Sequence, residues 1–358
     1  MTKLRVLVVE DSLTVRKRLR DILSSAAGIE VVGEAEDGKQ AIELCQSLRP
    51  DIVTMDMMLP VMSGLAATEY IMAHQPTPIL IVSSSVNRGE LFKTYEALAA
   101  GAVDVLEKPA GDDSDAEWAG RLVAMVKLVA RIRVITHLRA KLAASARLQQ
   151  HHSSSPPVAA TTPRSLRAVA IGASTGGPGA IVELLRSLEP SFRVPILLVL
   201  HINEPFSMAF ADWLDGQTPR RVAYARDGDA VAAAAGAVLM APPNRHLIVQ
   251  DDRLRLTLGP ERHSCRPSVD CLFETVAAAF GSHGAACLLT GMGRDGAEGL
   301  LRIRQAGGLA IAQDEATSVI YGMPREAAML GAAERILPLS AIGPALMACT
   351  LPDRAGAA

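Results

Sequence analysis

The chain has 358 residues, of which 49% are hydrophobic, 21% charged and 3% aromatic. This length favours two domains over one, and the composition is that of a globular protein. A formal net charge of −2 provides no global field for nucleic acid or for an anionic membrane, so function should lie in local sites. The N-terminus lacks a signal-peptide layout and no apolar run reaches the ~18 residues that span a bilayer, so we expect a cytoplasmic protein without membrane insertion.

Apolar runs and helix-periodic segments alternate in the first part of the chain, up to about residue 108. This rhythm predicts βα units and a parallel sheet. Glu10 and Asp11 follow the predicted strand at residues 6–9. Asp56 follows the predicted strand at residues 52–55. Because ligand chemistry in such sheets gathers at the carboxyl ends of strands, we expect these carboxylates to meet.

Three carboxylates in one crevice repel each other unless a cation joins them. A Mg²⁺ ion held by carboxylates and water, with a phosphoryl oxygen as a further ligand, satisfies that demand. Two more strand ends supply useful groups. Ser83 can donate a hydrogen bond to a phosphoryl group, and Lys108 can neutralise charge on the far side.

This combination of strand-end residues resembles the receiver domain of two-component response regulators. The resemblance covers residues 4–121, including the segment 57–64 after the acceptor. It implies a doubly wound, flavodoxin-like parallel sheet, in which Asp56 accepts a phosphoryl group from a histidine kinase. It also implies that Glu10, Asp11 and Asp56 hold Mg²⁺, with Ser83 and Lys108 as switch residues. Val105 stands where many receivers carry an aromatic switch residue.

The segment between the two halves of the chain has a different composition. From residue 118 to residue 182 it contains several Arg and Lys residues but no Asp or Glu. Its first part has helical spacing and its later part, residues 151–163, has the Ser and Pro content of a linker. We expect a solvated basic helix extension and a flexible linker over residues 122–163. A nucleic-acid arm is the less common alternative.

A second α/β region begins near residue 164 and extends to about residue 355, with a strand-rich stretch at residues 222–258. Its first strand leads into a Gly-rich turn at residues 172–178. The turn fits Gly-x-Ser-x-Gly, which presents Ser174 at the edge of a sheet. A dinucleotide-binding turn would need glycine at position 174, so Ser174 argues against a nucleotide-binding enzyme.

A serine nucleophile needs a base, and the base needs an orienting carboxylate. His201 follows the apolar strand that ends at Leu200, and Asp295 lies in a Gly-rich turn after another apolar strand. Three polar residues at three strand ends suggest a triad. From the residues alone the base stays open, because three other histidines also lie in polar or loop surroundings: His246, His263 and His283.

The second region resembles the chemotaxis protein-glutamate methylesterase family, and a receiver followed by this domain is that family's architecture. The resemblance implies that Ser174 is the nucleophile, His201 the general base and Asp295 its orienting carboxylate. It also implies hydrolysis of methyl-glutamate on chemoreceptors with release of methanol, deamidation of receptor glutamines, and no cofactor for the esterase reaction. The matching segments are residues 172–178, 241–246, 266–270, 289–296, 312–315 and 322–324, together with His201.

One position departs from the esterase pattern: Cys265 stands where similar enzymes usually carry histidine. A replaced substrate-binding histidine would alter rate or preference. The competing class of function is a non-catalytic regulator that binds DNA or a kinase. The low net charge and the lack of a helix-turn-helix pattern argue against DNA. The cysteines are few, odd in number and without a Cys-x-x-Cys pair, so we expect buried free thiols.

Overall fold

The computed structural model describes residues 3–84, 87–109, 115–132, 134, 165–202, 204 and 206–350. The chain forms two compact units, Met1–Ser153 and Ser154–Ala358. The linker predicted at residues 151–163 lies outside the described residues. No helix in the described part of the chain combines the length and apolar character needed to cross a bilayer.

The first unit contains a five-stranded parallel sheet with the order β2-β1-β3-β4-β5. This order confirms the predicted doubly wound, flavodoxin-like fold. The strands are β1 Leu4–Val9, β2 Ile29–Ala35, β3 Ile52–Met55, β4 Ile79–Ser83 and β5 Asp104–Glu107. The helices are α1 Leu13–Ser25, α2 Gly38–Leu48, α3 Gly64–His74, α4 Arg88–Ala99 and α5 Asp115–Val129.

Local sequence signals explain where several helices of this unit begin. Asp37, Ser63 and Asn87 precede α2, α3 and α4, and each side chain accepts a backbone N–H from the first helical turn. Such caps satisfy amide groups that have no partner within the helix. The central strands β1, β3 and β4 consist almost entirely of buried residues, as expected for a parallel sheet covered on both faces.

The second unit contains a seven-stranded parallel sheet with the order β14-β13-β12-β6-β7-β9-β8. The strands are β6 Ala168–Ala173, β7 Ile196–Leu200, β8 Val222–Tyr224, β9 Val238–Met240, β12 Gly284–Leu288, β13 Leu309–Gln313 and β14 Arg335–Leu337. The helices are α6 Gly177–Ser187, α7 Phe210–Gln217, α8 Val269–Phe280, α9 Ala297–Gln305, α10 Met323–Met329 and α11 Leu339–Met347.

The predicted strand-rich stretch at residues 222–258 does contain short strands, but they divide between two sheets. Two of them, β8 and β9, extend the main parallel sheet. The other two, β10 His246–Gln250 and β11 Arg253–Thr257, form a separate antiparallel hairpin. Only this hairpin stands apart from the main sheet as an insertion.

Helix α8 packs very closely on β6, the strand that leads to Ser174. A Cβ atom added at Gly172 would lie 2.2 Å from Val269 Cγ1, so glycine is required for this approach. The motif at residues 266–270 is thereby held beside the strand end that carries Ser174. The five cysteines are free thiols as predicted, but Cys265 and Cys271 are only half-buried.

Candidate active site and acceptor carboxylate cluster

The carboxylates of the first unit lie at neighbouring strand ends. Val9 pairs with Met55 across β1 and β3, so the residues that follow, Glu10 and Asp56, are neighbours. Ligand oxygens of Glu10, Asp11 and Asp56 lie within 4.8 Å of one another. Glu10 and Asp56 are buried and Asp11 is exposed. This set of hard oxygen donors fits a divalent cation such as Mg²⁺.

Lys108 lies between two of these carboxylates. Its Nζ atom is 2.8 Å from Glu10 Oε2 and 3.0 Å from Asp56 Oδ2. The pKa of Glu10 is raised above its ordinary value. Burial and the charge of Asp56 raise this pKa, and together they outweigh the hydrogen bond from Lys108, which lowers it. Burial lowers the pKa of Lys108, but the two carboxylates raise it above its ordinary value. The lysine therefore stays cationic beside Asp56.

Ser83 and Gly64 complete the surroundings of Asp56. Ser83 is fully buried at the end of β4, and its carbonyl accepts the backbone N–H of Lys108 at 3.0 Å. A Cβ atom added at Gly64 would lie 1.9 Å from the carbonyl oxygen of Asp56. The loop after Asp56 therefore requires glycine at position 64. Val105, at the position of the missing aromatic, is buried in β5.

Ser174 directly follows β6, and its backbone N–H donates to the carbonyl of Thr290 at 3.0 Å. The turn into α6 depends on Gly176, which has a φ of +78°. A Cβ atom at this residue would lie 2.5 Å from Val319 Cβ. The Gly-x-Ser-x-Gly pattern thus forms the strand-to-helix turn that the sequence predicts, with Ser174 half-buried at its start.

His201 is placed beside Ser174 by the register of the sheet. Ala173 pairs with Leu200, and the backbone N–H of His201 donates to the carbonyl of Ala173 at 2.9 Å. His201 Nε2 lies 2.9 Å from Asp295 Oδ2. The ring nitrogen is not aligned for a straight hydrogen bond, so the contact is an ion pair. In the described part of the chain, the Ser174 hydroxyl forms no hydrogen bond with His201.

Asp295 is 2% exposed, and besides the contact with His201 both of its oxygens accept hydrogen bonds from residues 268–270. Oδ1 accepts from Ser268 Oγ at 2.8 Å and from the backbone N–H of Asp270 at 3.0 Å, while Oδ2 accepts from the backbone N–H of Val269 at 2.7 Å. These supporting residues were not identified as site residues from the sequence. The signal for them was present in the motif at residues 266–270.

The environments of His201 and Asp295 shift their pKa values in opposite directions. Burial lowers the pKa of His201, but Asp295 and the sulfur of Cys265 raise that pKa to about 9. Burial raises the pKa of Asp295, but pairing with His201 and the backbone N–H groups bring that pKa down to about 2. The pair therefore exists as carboxylate and imidazolium at neutral pH.

Cys265 lies beside the other ring nitrogen of the same imidazole. Its Sγ atom lies 3.8 Å from His201 Nδ1 and 3.4 Å from the carbonyl of His263. The sequence identified Cys265 as a departure from the family pattern, but it gave no sign of this contact. His201 is therefore flanked by an oxygen on Nε2 and by a sulfur near Nδ1.

A cavity of about 550 Å³ opens beside this group. Ser174 is not one of the residues that line it. Its lining residues are His201, His263, Ser264, Cys265, Met292, Gly293, Arg294, Asp295 and Glu326.

The other candidate histidines are engaged elsewhere. His246 is buried, with Nε2 at 3.1 Å from the carbonyl of Pro260 and Nδ1 at 3.1 Å from the backbone N–H of Ser268. His263 lines the cavity, but its two ring nitrogens contact Asp270 and Arg294. His283 contacts the carbonyl of Ser165. Among the described histidines, His201 is the one paired with Asp295.

Two family models match the chain, one for each unit. Residues 6–115 match a response regulator receiver domain and residues 169–346 match a CheB methylesterase. The catalytic domain of a Thermotoga maritima CheB methylesterase is 34% identical, covers 51% of this chain and 98% of its own, and has a TM-score of 0.48.

Curated relatives match nearly the whole chain. A "protein-glutamate methylesterase/protein-glutamine glutaminase 2" from Anaeromyxobacter dehalogenans is 41% identical over 97% of this chain and 97% of its own. A similarly named protein, number 4 from Geobacter metallireducens, is 40% identical over 96% of this chain and 97% of its own. The chain therefore belongs to the protein-glutamate methylesterase/protein-glutamine glutaminase family, in which a receiver domain precedes a CheB methylesterase domain.

Proposed function

We propose that this chain hydrolyses the methyl esters of methyl-glutamate side chains on chemoreceptors, releasing methanol, and deamidates receptor glutamines. The observation that carries the proposal is the contact between half-buried His201 and buried Asp295 at the strand end next to Ser174. Family membership supports the reaction class. The same proposal places the chain in the cytoplasm, with the cytoplasmic domains of chemoreceptors as its substrate.

In this mechanism Ser174 Oγ attacks the ester carbonyl while neutral His201 accepts the serine proton. Asp295 contacts Nε2, so Nδ1 is the nitrogen left for proton transfer. The tetrahedral intermediate collapses to an acyl-enzyme, and the proton on His201 passes to the departing methoxide to give methanol. Water then attacks the acyl-enzyme with His201 again as base, which frees glutamate and Ser174.

The amide reaction follows the same course with ammonia as the leaving group, because ester and amide form the same kind of tetrahedral oxyanion. The first turn of α6, which begins at Gly177, lies close to Ser174 in sequence. A helix N-terminus offers backbone N–H groups and a positive dipole end toward such an anion. Asp295, held by Ser268 and two backbone amides, keeps the imidazole oriented throughout.

The proposed control resides in the first unit. Asp56 accepts a phosphoryl group from a histidine kinase, and Glu10, Asp11 and Asp56 are the residues that would hold Mg²⁺. The ion would neutralise charge on the transferred phosphoryl group. Lys108 already contacts Asp56 Oδ2. Ser83 ends the adjacent strand, and its hydroxyl, which donates to the carbonyl of Ser84 at 3.4 Å, would turn to the phosphoryl oxygens. Both would stabilise the phosphorylated state.

The test is methanol release from methyl-labelled receptor domains by the Ser174→Ala variant. Loss of the nucleophile should lower the rate by about 10³-fold or more, because a triad without its serine retains only binding and oxyanion stabilisation. Ser191→Ala is the matched control, since Ser191 is an exposed residue of the same unit. An active-site serine reagent should label Ser174 in the parent. Undiminished methanol release by Ser174→Ala would remove the proposed mechanism.

A further inference from the structure

We propose that His201 and Cys265 form a binding site for Zn²⁺ in the wall of the cavity, and that the bound ion blocks His201. Three groups among the described residues bring three metal-ligating side chains within 4.8 Å of one another. One of them combines a nitrogen, a sulfur and an oxygen donor, from His201, Cys265 and Asp295. Soft sulfur with imidazole nitrogen is the donor set that selects zinc over magnesium or calcium.

The distance between the two proposed ligand atoms fits a zinc ion. Zinc bonds of ~2.3 Å to sulfur and ~2.0 Å to nitrogen at a tetrahedral angle require a separation of about 3.5 Å. Cys265 Sγ and His201 Nδ1 are 3.8 Å apart. An ion can therefore enter between them with a shift of about 0.3 Å. The Cys265 thiol and the His201 imidazolium each release a proton to solvent as the sulfur–zinc and nitrogen–zinc bonds form.

Asp295 has the position of an orienting partner in this site. Its Oδ2 atom contacts His201 Nε2 at 2.9 Å, so the opposite nitrogen, Nδ1, faces the sulfur. A zinc-binding histidine commonly presents its second nitrogen to a carboxylate in this way. Ser268 and the backbone amides that hold Asp295 fix the ring before any ion arrives.

The two other groups are less suited to zinc. Asp270 and Asp295 form one with His263, but both nitrogens of His263 have partners and Arg262 Nε lies 3.7 Å from Asp270 Oδ2. That group is already neutralised by cationic side chains. The remaining group, Glu10, Asp11 and Asp56, offers only oxygen atoms, which suit a hard cation.

The cavity supplies access and the remaining coordination positions. Both His201 and Cys265 line its wall, and Glu326 is a further carboxylate on the same lining. Two protein ligands leave positions open for water, so the ion would exchange with solution. Zinc on Nδ1 would occupy the lone pair that accepts the serine proton. That consequence for hydrolysis rests on the proposed function, whereas metal binding does not.

Cobalt is a suitable probe, because Co²⁺ takes zinc sites and a cobalt–thiolate bond gives a charge-transfer band in the near ultraviolet. The full chain is titrated with Co²⁺ in excess Mg²⁺, which occupies the carboxylate cluster, and Zn²⁺ then displaces the cobalt. We expect a band in the parent and in Cys271→Ala, and none in Cys265→Ala or Cys265→Ser. Loss of the ligand should weaken Zn²⁺ binding by at least about 10-fold.

The activity measurement is separate. Zn²⁺ should inhibit methanol release by the parent and by Cys271→Ala, whereas any activity of the folded Cys265 variants should be at least about 10-fold less sensitive. A parent without a thiolate band, or a band that persists in both Cys265 variants, would overturn the site. So would zinc binding that Asp56→Asn abolishes and Cys265→Ala leaves intact. If the parent releases no methanol at all, the proposed function fails while the cobalt band still decides the metal site.

Discussion

Two opposing effects act on the pKa of a single residue, His201. The ring is mostly buried, which disfavours its charged form, yet Asp295 and Cys265 stabilise the imidazolium and the net result is a pKa of about 9. A general base must be neutral before it accepts a proton. At neutral pH, His201 is therefore mostly protonated, and in this form it cannot accept the proton of Ser174.

This predicts an unusual pH dependence for methanol release. Below about pH 9 His201 is protonated in the free protein, so kcat/KM should rise with pH and level off only near that value. In Cys265→Ala the lowering effect of burial is opposed by Asp295 alone, so the rising limb should move to lower pH. The measurement is kcat/KM against pH, with Ser174→Ala as the blank for spontaneous hydrolysis.

Cys271→Ala controls for the loss of a half-buried thiol in the same unit. Its rising limb should coincide with that of the parent. A limb that stays in place in Cys265→Ala would show that Cys265 does not affect the base.

Among the secondary-structure elements, the paired strands and the loops that follow them determine where each polar group lies. Glu10 and Asp56 are neighbours because β1 and β3 pair in register, and Ser174 and His201 are neighbours because β6 and β7 do. Close approaches by backbone then require glycine at particular turns. Among the described glycines, the closest approach is in the loop after Asp56, at Gly64 against the carbonyl of Asp56.

Gly64→Ala should therefore destabilise the first unit. A methyl group 1.9 Å from Asp56 O forces the loop to move, at a cost of about 1–3 kcal/mol or more in the free energy of unfolding. Asp56 should also be phosphorylated more slowly, because its backbone is displaced. Denaturant unfolding and phosphoryl incorporation from a small phosphodonor measure the two effects.

Gly120→Ala is the matched control for this substitution. Gly120 lies within α5, and a Cβ atom there meets nothing within 4 Å. Alanine should stabilise that helix by roughly 0.5–1 kcal/mol. Equal effects of the two substitutions on stability would contradict the steric argument at Gly64.

Strand ends were the part of the site that the sequence could predict. Apolar runs that stop at a polar residue placed Asp56, Ser174 and His201 at strand ends, since a run of buried residues marks a parallel strand. The choice of His201 over the other histidines came from the family resemblance. Such patterns do not predict where the side chains within loops point. The contact between Cys265 and His201 joins residues 64 positions apart, and the bonds from residues 268–270 to Asp295 depend on the packing of α8. These contacts follow from tertiary structure rather than from local periodicity.

The proposed phosphoryl acceptor, Asp56, and the proposed nucleophile, Ser174, belong to different compact units of the molecule. Each unit has its own sheet and its own buried core. Phosphorylation at Asp56 can change hydrolysis at Ser174 only if it shifts an equilibrium between states of different activity. A coupling free energy of ~1–3 kcal/mol between two sites corresponds to roughly 5- to 150-fold in activity.

We predict that the first unit restrains the esterase and that phosphorylation relieves the restraint. A chain that lacks residues 1–160 should then release methanol roughly 5- to 150-fold faster than the unphosphorylated whole protein, because it no longer populates the restrained state. It should not respond to a phosphodonor with Mg²⁺. Asp56→Asn in the whole chain should also fail to respond, while keeping the low basal rate. If the shortened chain folds but is slower than the unphosphorylated parent, the receiver must activate the esterase directly. Stimulation of Asp56→Asn to the level of the parent would instead assign the acceptor to another carboxylate.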